Sequence, residues 1–328
     1  MKKGVLWGAF LIFVVGCTNQ QEMENVMPIT GSASDKCNNE KMEATVSQIL
    51  QSGMREMDCT KGVVYVVETA TGAIKAKVAL AAKGKNFVPY EDTYNEEQRD
   101  MMMGPTYLAL LSTGEVLPEH RVETGWGIYK DVTDYNWYKG GWGCITVEEA
   151  FYLWSRVGFT KLKEDAFGND TSAFDQTISA YLANMPDSPL GMLTFYNAVA
   201  NDGKMVELTT GNDDVIVLNE RIAESKHIKA LQKGMRKAVE VGLLKKAGRC
   251  STPVAASSRS FETEKGYRRM ELFGYFPIEN PQYTIMVIME KKSLPASAGR
   301  MCAPIMASIV DKLTIEKVTI NCKGKNVI

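Results

Sequence analysis

The chain has 328 residues, 45% hydrophobic and 23% charged, enough to bury a core as one large domain or two small ones. With 38 basic against 39 acidic residues the formal net charge is -1, and no long basic run breaks the balance, so nothing points to nucleic acid. The two histidines, His120 and His227, are far apart and outside any cysteine spacing, which argues against zinc, and nothing in the sequence implies a cofactor.

In chain order, "MKK" is a basic start and "GVLWGAFLIFVVG" an apolar stretch too short to span a membrane comfortably and right for a signal peptide. "VVGC" resembles the lipobox of bacterial lipoproteins, which implies cleavage before Cys17 and acylation of its thiol. Several acyl chains on one residue anchor stably, since each buried methylene adds about 0.8 kcal/mol. The expected division is therefore a signal peptide over 1–17, a flexible polar tether over 18–40 and one folded domain over 41–320. Six further cysteines in an exported chain, Cys37, Cys59, Cys144, Cys250, Cys302 and Cys322, suggest disulfides of unassigned pairing. The absence of a CxxC leaves thiol redox chemistry unsupported.

The spacing of Met42, Val46, Ile49, Leu50 and Met54 predicts a helix. "GVVYVVETATGAIKAKVAL" then reads as two strands around a Thr71-Gly72 turn. Residues 84 to 240 read as helices and loops. "TVEEAFYLWSRVG" opens with a capping box from Thr146 to Glu149, and "PLGMLTFYNAVANDG" closes near Gly203. Ile228, Leu231, Met235 and Val239 mark another helix. "PVAASSRSF", "RRMELFGYF" and "YTIMVIM" predict three strands, and "AGRMCAPIMASIVDKL" a closing helix with Pro304 near its start. Strands from both chain ends with helices between them predict an α+β fold, an antiparallel sheet with a helical block packed on it.

That order resembles serine DD-peptidases and penicillin-binding transpeptidases. "ALLSTGEVLPEHRVETGWGIY", "DYNWYKGGWGCITVEEAF", "SPLGMLTFYNAVANDGKMV", "FGYFPIENPQYTIMVIMEK" and "GRMCAPIMASIVDKL" are similar to successive segments of that family, in the same order over roughly residues 60 to 315. The resemblance implies a DD-peptidase/β-lactamase/transpeptidase-like domain in the bacterial cell envelope. Its chemistry depends on three motifs. S-x-x-K sets an amine beside a nucleophilic serine, S-x-N adds a relay hydroxyl and an amide, and K-T-G supplies a cation beside a strand.

None of the three survives as a motif. Counted without gaps, the serine and lysine positions fall on Asp100 and Met103; matched to "GPTYL", they fall on Pro105 and Leu108. Gly104-Pro105 is expected to disturb a helix there. At the second motif Ser155 persists and Arg156 replaces the amide; at the third stand Ser257, Ser258 and Arg259. No serine in the chain is followed three residues later by lysine or two residues later by asparagine. An unactivated serine is a weak nucleophile. The residues thus favour a catalytically degenerate, lipid-anchored relative that binds peptidoglycan stem peptides or an envelope protein partner. A transpeptidase or DD-carboxypeptidase with displaced catalytic residues is the alternative. Arg156 and Arg259 are candidates to grasp a carboxylate, against the plainer reading of solvated or salt-bridged surface arginines. The aromatic loop from Trp126 to Trp142 reads as a sugar or peptide platform, or more simply as rings packed on the domain, which the resemblance favours.

Overall fold

The computed structural model describes residues 33–92, 102–168, 171–183, 188–211 and 214–323. Helix α1 (Ala33–Glu56) leads into strands β1 (Lys61–Glu68), β2 (Ile74–Lys83) and β3 (Asn86–Pro89). The middle of the chain holds α2 (Met103–Ser112), short strands β4 (Arg121–Glu123), β5 (Ile128–Tyr129), β6 (Val132–Thr133) and β7 (Cys144–Thr146), and α3 (Val147–Tyr152). Then come α4 (Arg156–Phe167), α5 (Ser172–Tyr181), α6 (Pro189–Ala200), the small pair β8 (Met205–Val206) and β9 (Val217–Asn219), and α7 (Ser225–Glu240). The chain returns through β10 (Ala255–Glu262), β11 (Arg268–Phe276) and β12 (Tyr283–Lys291), and ends in α8 (Ala298–Lys323).

The main sheet is antiparallel with strand order β10-β11-β12-β1-β2-β3, so the two chain ends build it together as expected. Strand alternation sorts its two faces. Val63, Tyr65, Val67, Phe273, Tyr275, Met286 and Ile288 face the helical block of α2 to α6. Val64, Val66, Met270, Leu272, Val287 and Met289 face Val46, Leu50 and Met54 of α1 and Met306, Ile309 and Val310 of α8. Both layers are buried, so the sheet is sandwiched between helices.

Three expectations are corrected here. Helix α1 already begins at Ala33, within the stretch expected to be tether. Gly104 and Pro105 do not break α2: they lie in its first turn, where backbone N–H groups have no intrahelical acceptor and proline costs little. Disulfides are absent among the described residues. Cys37 and Cys144 are exposed thiols, Cys59 and Cys302 are buried ones, and Cys250 is half-buried. Burial pushes the Cys59 and Cys250 thiols up to about 11, so both stay protonated and inert. Cys17 and the apolar stretch before it lie outside the described residues; among those described, no helix is long and apolar enough to cross a membrane.

Candidate functional site

The positions expected for the second and third motifs lie near the N-terminus of α2, Arg156 beside Met103 and Thr106 and Ser257 joined to Gly104 through Tyr196. The first, Asp100, lies outside the described residues. Met103 opens α2; Pro105 and Leu108 are buried within it, Leu108 completely. Proline has no N–H, so position 105 can offer neither a hydroxyl nor a backbone donor to a developing oxyanion.

Ser155 is the N-cap of α4, accepting from the Gly158 N–H at 3.0 Å. Its own hydroxyl donates to Asp134 Oδ2 at 2.8 Å, and Asp134 Oδ1 accepts the Val157 N–H at 3.0 Å. Ser155 is fully buried. Hydroxyl proton and lone pair are both engaged, so the group holds the helix start in place rather than presenting a nucleophile. Burial raises the Asp134 carboxyl, outweighing the bonds from Val157 and Ser155 that pull it down.

Next to this cap, a cavity of about 170 Å³ is lined by Met103, Thr106, Asp131, Arg156, Phe159 and Lys163 among others. Arg156, expected at the position of the motif amide, is half-buried there; it makes no side-chain hydrogen bond or contact ion pair to the described residues, and its charge pulls the Asp134 carboxyl down.

On the other side of α2 stands β10. Ser257 is buried and accepts a hydrogen bond from the Tyr196 hydroxyl at 2.9 Å. Tyr196 comes from α6, stacks on Phe273 with ring centroids 5.0 Å from Phe195 and 5.1 Å from Phe273, and is fully enclosed. Its hydroxyl also sits against Gly104, where an added Cβ would collide with it. Burial pushes this phenol up to about 12, so it remains a neutral donor. Tyr196 is thus a strut between the start of α2 and the strand that borders the cleft. Ser258 is half-buried on the opposite face of β10 and makes no side-chain bond to the described residues. Among the described residues no lysine amine reaches Ser155, Ser257 or Ser258.

Arg259 is not a surface arginine: it is 1% exposed and pairs through Nε with Glu271 Oε2 at 2.6 Å on β11. Glu271 takes Arg269 Nε on its other oxygen at 2.7 Å, and Arg269 reaches Asp92 at 2.7 Å and Glu290 at 3.8 Å. Lys61 closes the row on Glu290 at 3.0 Å. Cross-strand register explains it, because Arg259 lies opposite Glu271, Arg269 opposite Glu290, and Glu290 opposite Lys61. Burial alone would raise Glu271, yet Arg259 and Arg269 hold its carboxyl below the ordinary glutamate range. Both terminal nitrogens of Arg259 are buried without a hydrogen-bond partner among the described residues; the Phe261 ring, 5.4 Å from the guanidinium carbon, offers them its face.

Sequence reading missed this ladder and the Tyr196 strut. Arg269 and Glu271, two apart in a strand among apolar residues, were the available signal for the first. The strut had none, since a tyrosine in a helical apolar face looks like ordinary core.

The aromatic loop is tied to the cleft by Asp134, but its rings are not packed on the domain as the resemblance favoured. Trp126 is 77% exposed, Tyr135 59%, Tyr138 58% and Trp137 49%, whereas Trp142 is partly buried against the helical core.

An antiparallel sheet between helices, with a cleft where β10 meets the starts of α2 and α4, defines an α+β domain of the serine-transpeptidase architecture. A family model, the penicillin binding protein transpeptidase domain, matches residues 162–311. Among solved structures, the chain is similar to the crystal structure of a peptidoglycan glycosyltransferase from Burkholderia ambifaria, with a TM-score of 0.68 and 17% identity over 86% of this chain and 96% of that one. It is also similar to the apo structure of the TP domain of penicillin-binding protein 3 from Burkholderia pseudomallei, with a TM-score of 0.68 and 16% identity over 85% of this chain and 95% of that one. No curated protein matches the chain in sequence. Residues 162–311 thus match the penicillin binding protein transpeptidase domain, and most of the described chain shares the fold of these solved structures.

Proposed function

We propose that this chain is a transpeptidase-like lipoprotein of the bacterial cell envelope that has lost acyl transfer and uses the old cleft to bind a peptidoglycan stem peptide. One observation supports the first half: among the described residues, no amine stands within hydrogen-bond reach of Ser155, Ser257 or Ser258. Acyl transfer needs a base at hydrogen-bond distance from the attacking oxygen. Asp134 touches Ser155, but that serine is enclosed and caps a helix.

The binding half rests on Arg156. Arg259 is already neutralised by Glu271 at 2.6 Å, whereas Arg156 lines a cavity with no ion pair at contact distance to the described residues, its charge acting on Asp134 from further off. A planar fork of that kind suits a peptide carboxylate. An envelope protein partner with an acidic terminus would meet the same chemistry.

Incubation of the purified chain with a fluorescent penicillin tests the loss of acylation. The expected result is no covalent band; a stoichiometric band, abolished by prior ampicillin, would restore the reading of an enzyme with displaced residues. For binding, anisotropy of a labelled peptide ending in D-Ala-D-Ala should rise with the wild type and weaken at least tenfold in Arg156→Ala. Equal affinity in both removes the role given to Arg156.

A further inference from the structure

Four of the rings in the loop between β4 and β7 stand in solvent, and nothing in the cleft uses them. Trp126, Tyr135, Trp137 and Tyr138 lie within 13 residues of sequence and are each about half exposed or more. Scattered exposed apolar residues are ordinary; a cluster of large rings on one segment marks a contact surface.

The segment that carries them is held stiffly. The Thr124 N–H donates to Gly143 O at 2.8 Å, the Asp134 N–H to Gly127 O at 2.8 Å and the Gly127 N–H to Thr124 O at 2.9 Å. Gly141 has a positive φ of 73° and lies so close to the backbone at Trp126 that any side chain there would collide with it. The Trp126 ring lies over Gly140, and Trp137 and Tyr138 meet edge to face at 6.4 Å. Rings presented on a fixed backbone lose little freedom when a ligand stacks on them.

Charge selects the kind of ligand. From Arg121 to Thr146 the segment has three basic residues, Arg121, Lys130 and Lys139, and three acidic ones, Glu123, Asp131 and Asp134. With Asp134 buried, three exposed basic residues face two exposed acidic ones, and Lys130 is paired with Glu164, so the surface presents no strong field of one sign to a polyanion or an acidic membrane. Between and next to the rings in sequence, the exposed side chains are Lys130, Asp131, Thr133 and Lys139, with Ile128 the one exposed aliphatic residue, and the Lys139 ammonium lies 5.5 Å from the Tyr138 ring. Apolar faces set among hydrogen-bonding groups complement a ligand whose own surface alternates C–H faces with hydroxyls and amides. We infer that Trp126, Tyr135, Trp137 and Tyr138 form a binding platform for an uncharged oligosaccharide, separate from whatever the cleft binds.

The test is titration of the full chain with chitotetraose, four linked N-acetylglucosamine units, followed by tryptophan fluorescence. The expected result is saturable quenching in the wild type. Trp126→Ala and Trp137→Ala should each weaken it by roughly tenfold to thirtyfold, as truncation of a stacked aromatic anchor does. Trp126→Phe keeps a ring and should stay near wild type, and Leu294→Ala, exposed before α8, serves as an unaffected control. These positions are on the surface, so the folded state is preserved. No quenching in the wild type, or quenching undiminished in both alanine variants, overturns the inference. So does binding to zwitterionic vesicles that is lost in those variants while the sugar has no effect.

Discussion

The two faces of strands β10 to β12 were built by different rules. Toward α1 and α8 they carry Ala256, Met270, Leu272, Val287 and Met289, a continuous apolar layer. Toward the cleft, the same strands carry Arg259, Glu271, Arg269 and Glu290, of which none is more than 4% exposed. The first face is stabilised by removing area from water, and any one residue contributes in proportion to its size. On the second face, each charge depends on its neighbour: breaking one pair leaves an uncompensated ion in a low dielectric. An apolar layer tolerates gradual change, and an ion ladder does not.

The sharpest way to test that contrast is Glu271→Ala, which leaves Arg259 and Arg269 without their shared partner. It should cost about 3–5 kcal/mol in a urea melt. The double variant Arg259→Met/Glu271→Met should cost less than Glu271→Ala alone, because Arg269 keeps Asp92 and Glu290. A larger loss in the double variant would mean that the ladder does not act through charge. The ladder also predicts a pH signature. A carboxyl lowered in the folded state contributes stability that is present above its unfolded pKa and lost as pH falls through the folded one. The wild-type advantage over Glu271→Gln, measured by urea midpoints, should therefore be full at pH 7 and shrink as pH drops below the ordinary glutamate range.

Smaller effects probe the helical side of the cleft. Ser155→Ala removes both the cap on α4 and the bond to Asp134, and should cost about 1–3 kcal/mol. Tyr196→Phe removes only the strut's hydroxyl and should cost about 1–2 kcal/mol, while leaving the response to fluorescent penicillin unchanged. Last, Glu164→Gln breaks an exposed pair with Lys130 and should leave the melting midpoint where it was. A shift there as large as that of Ser155→Ala would show that surface charge matters to this domain in a way the fold does not suggest.

Much of the architecture was legible because it follows from local periodicity. Val63 to Val67 and the alternation from Ile74 to Leu80 announced a hairpin, and Thr146 with Glu149 announced the start of α3, where both halves of the capping box form. The four-residue β3 was missed, since it is held by pairing with Leu80 to Lys83 and by Phe87 packing toward α1, both of them tertiary contacts. The site was legible only as positions. That Ser257 would meet a tyrosine from α6, or Arg259 a glutamate from β11, depends on tertiary packing and strand register, which no single segment encodes. The exposure of Trp126 and Trp137 was misjudged for a related reason: whether a ring packs inward is decided by the glycine-rich backbone path around it.

The way Tyr196 and Leu108 are seated also bears on what a catalytic pair at 105 and 108 would require. Reinstating serine at 105 and lysine at 108 would set an ammonium at a position with no solvent exposure, whose charged form the surroundings would reject. The phenol wedged against Gly104 would still brace β10 in its present position. A serine–lysine pair at these two positions would therefore need compensating changes around it, in the packing of Leu108 and in the seat of Tyr196 against Gly104.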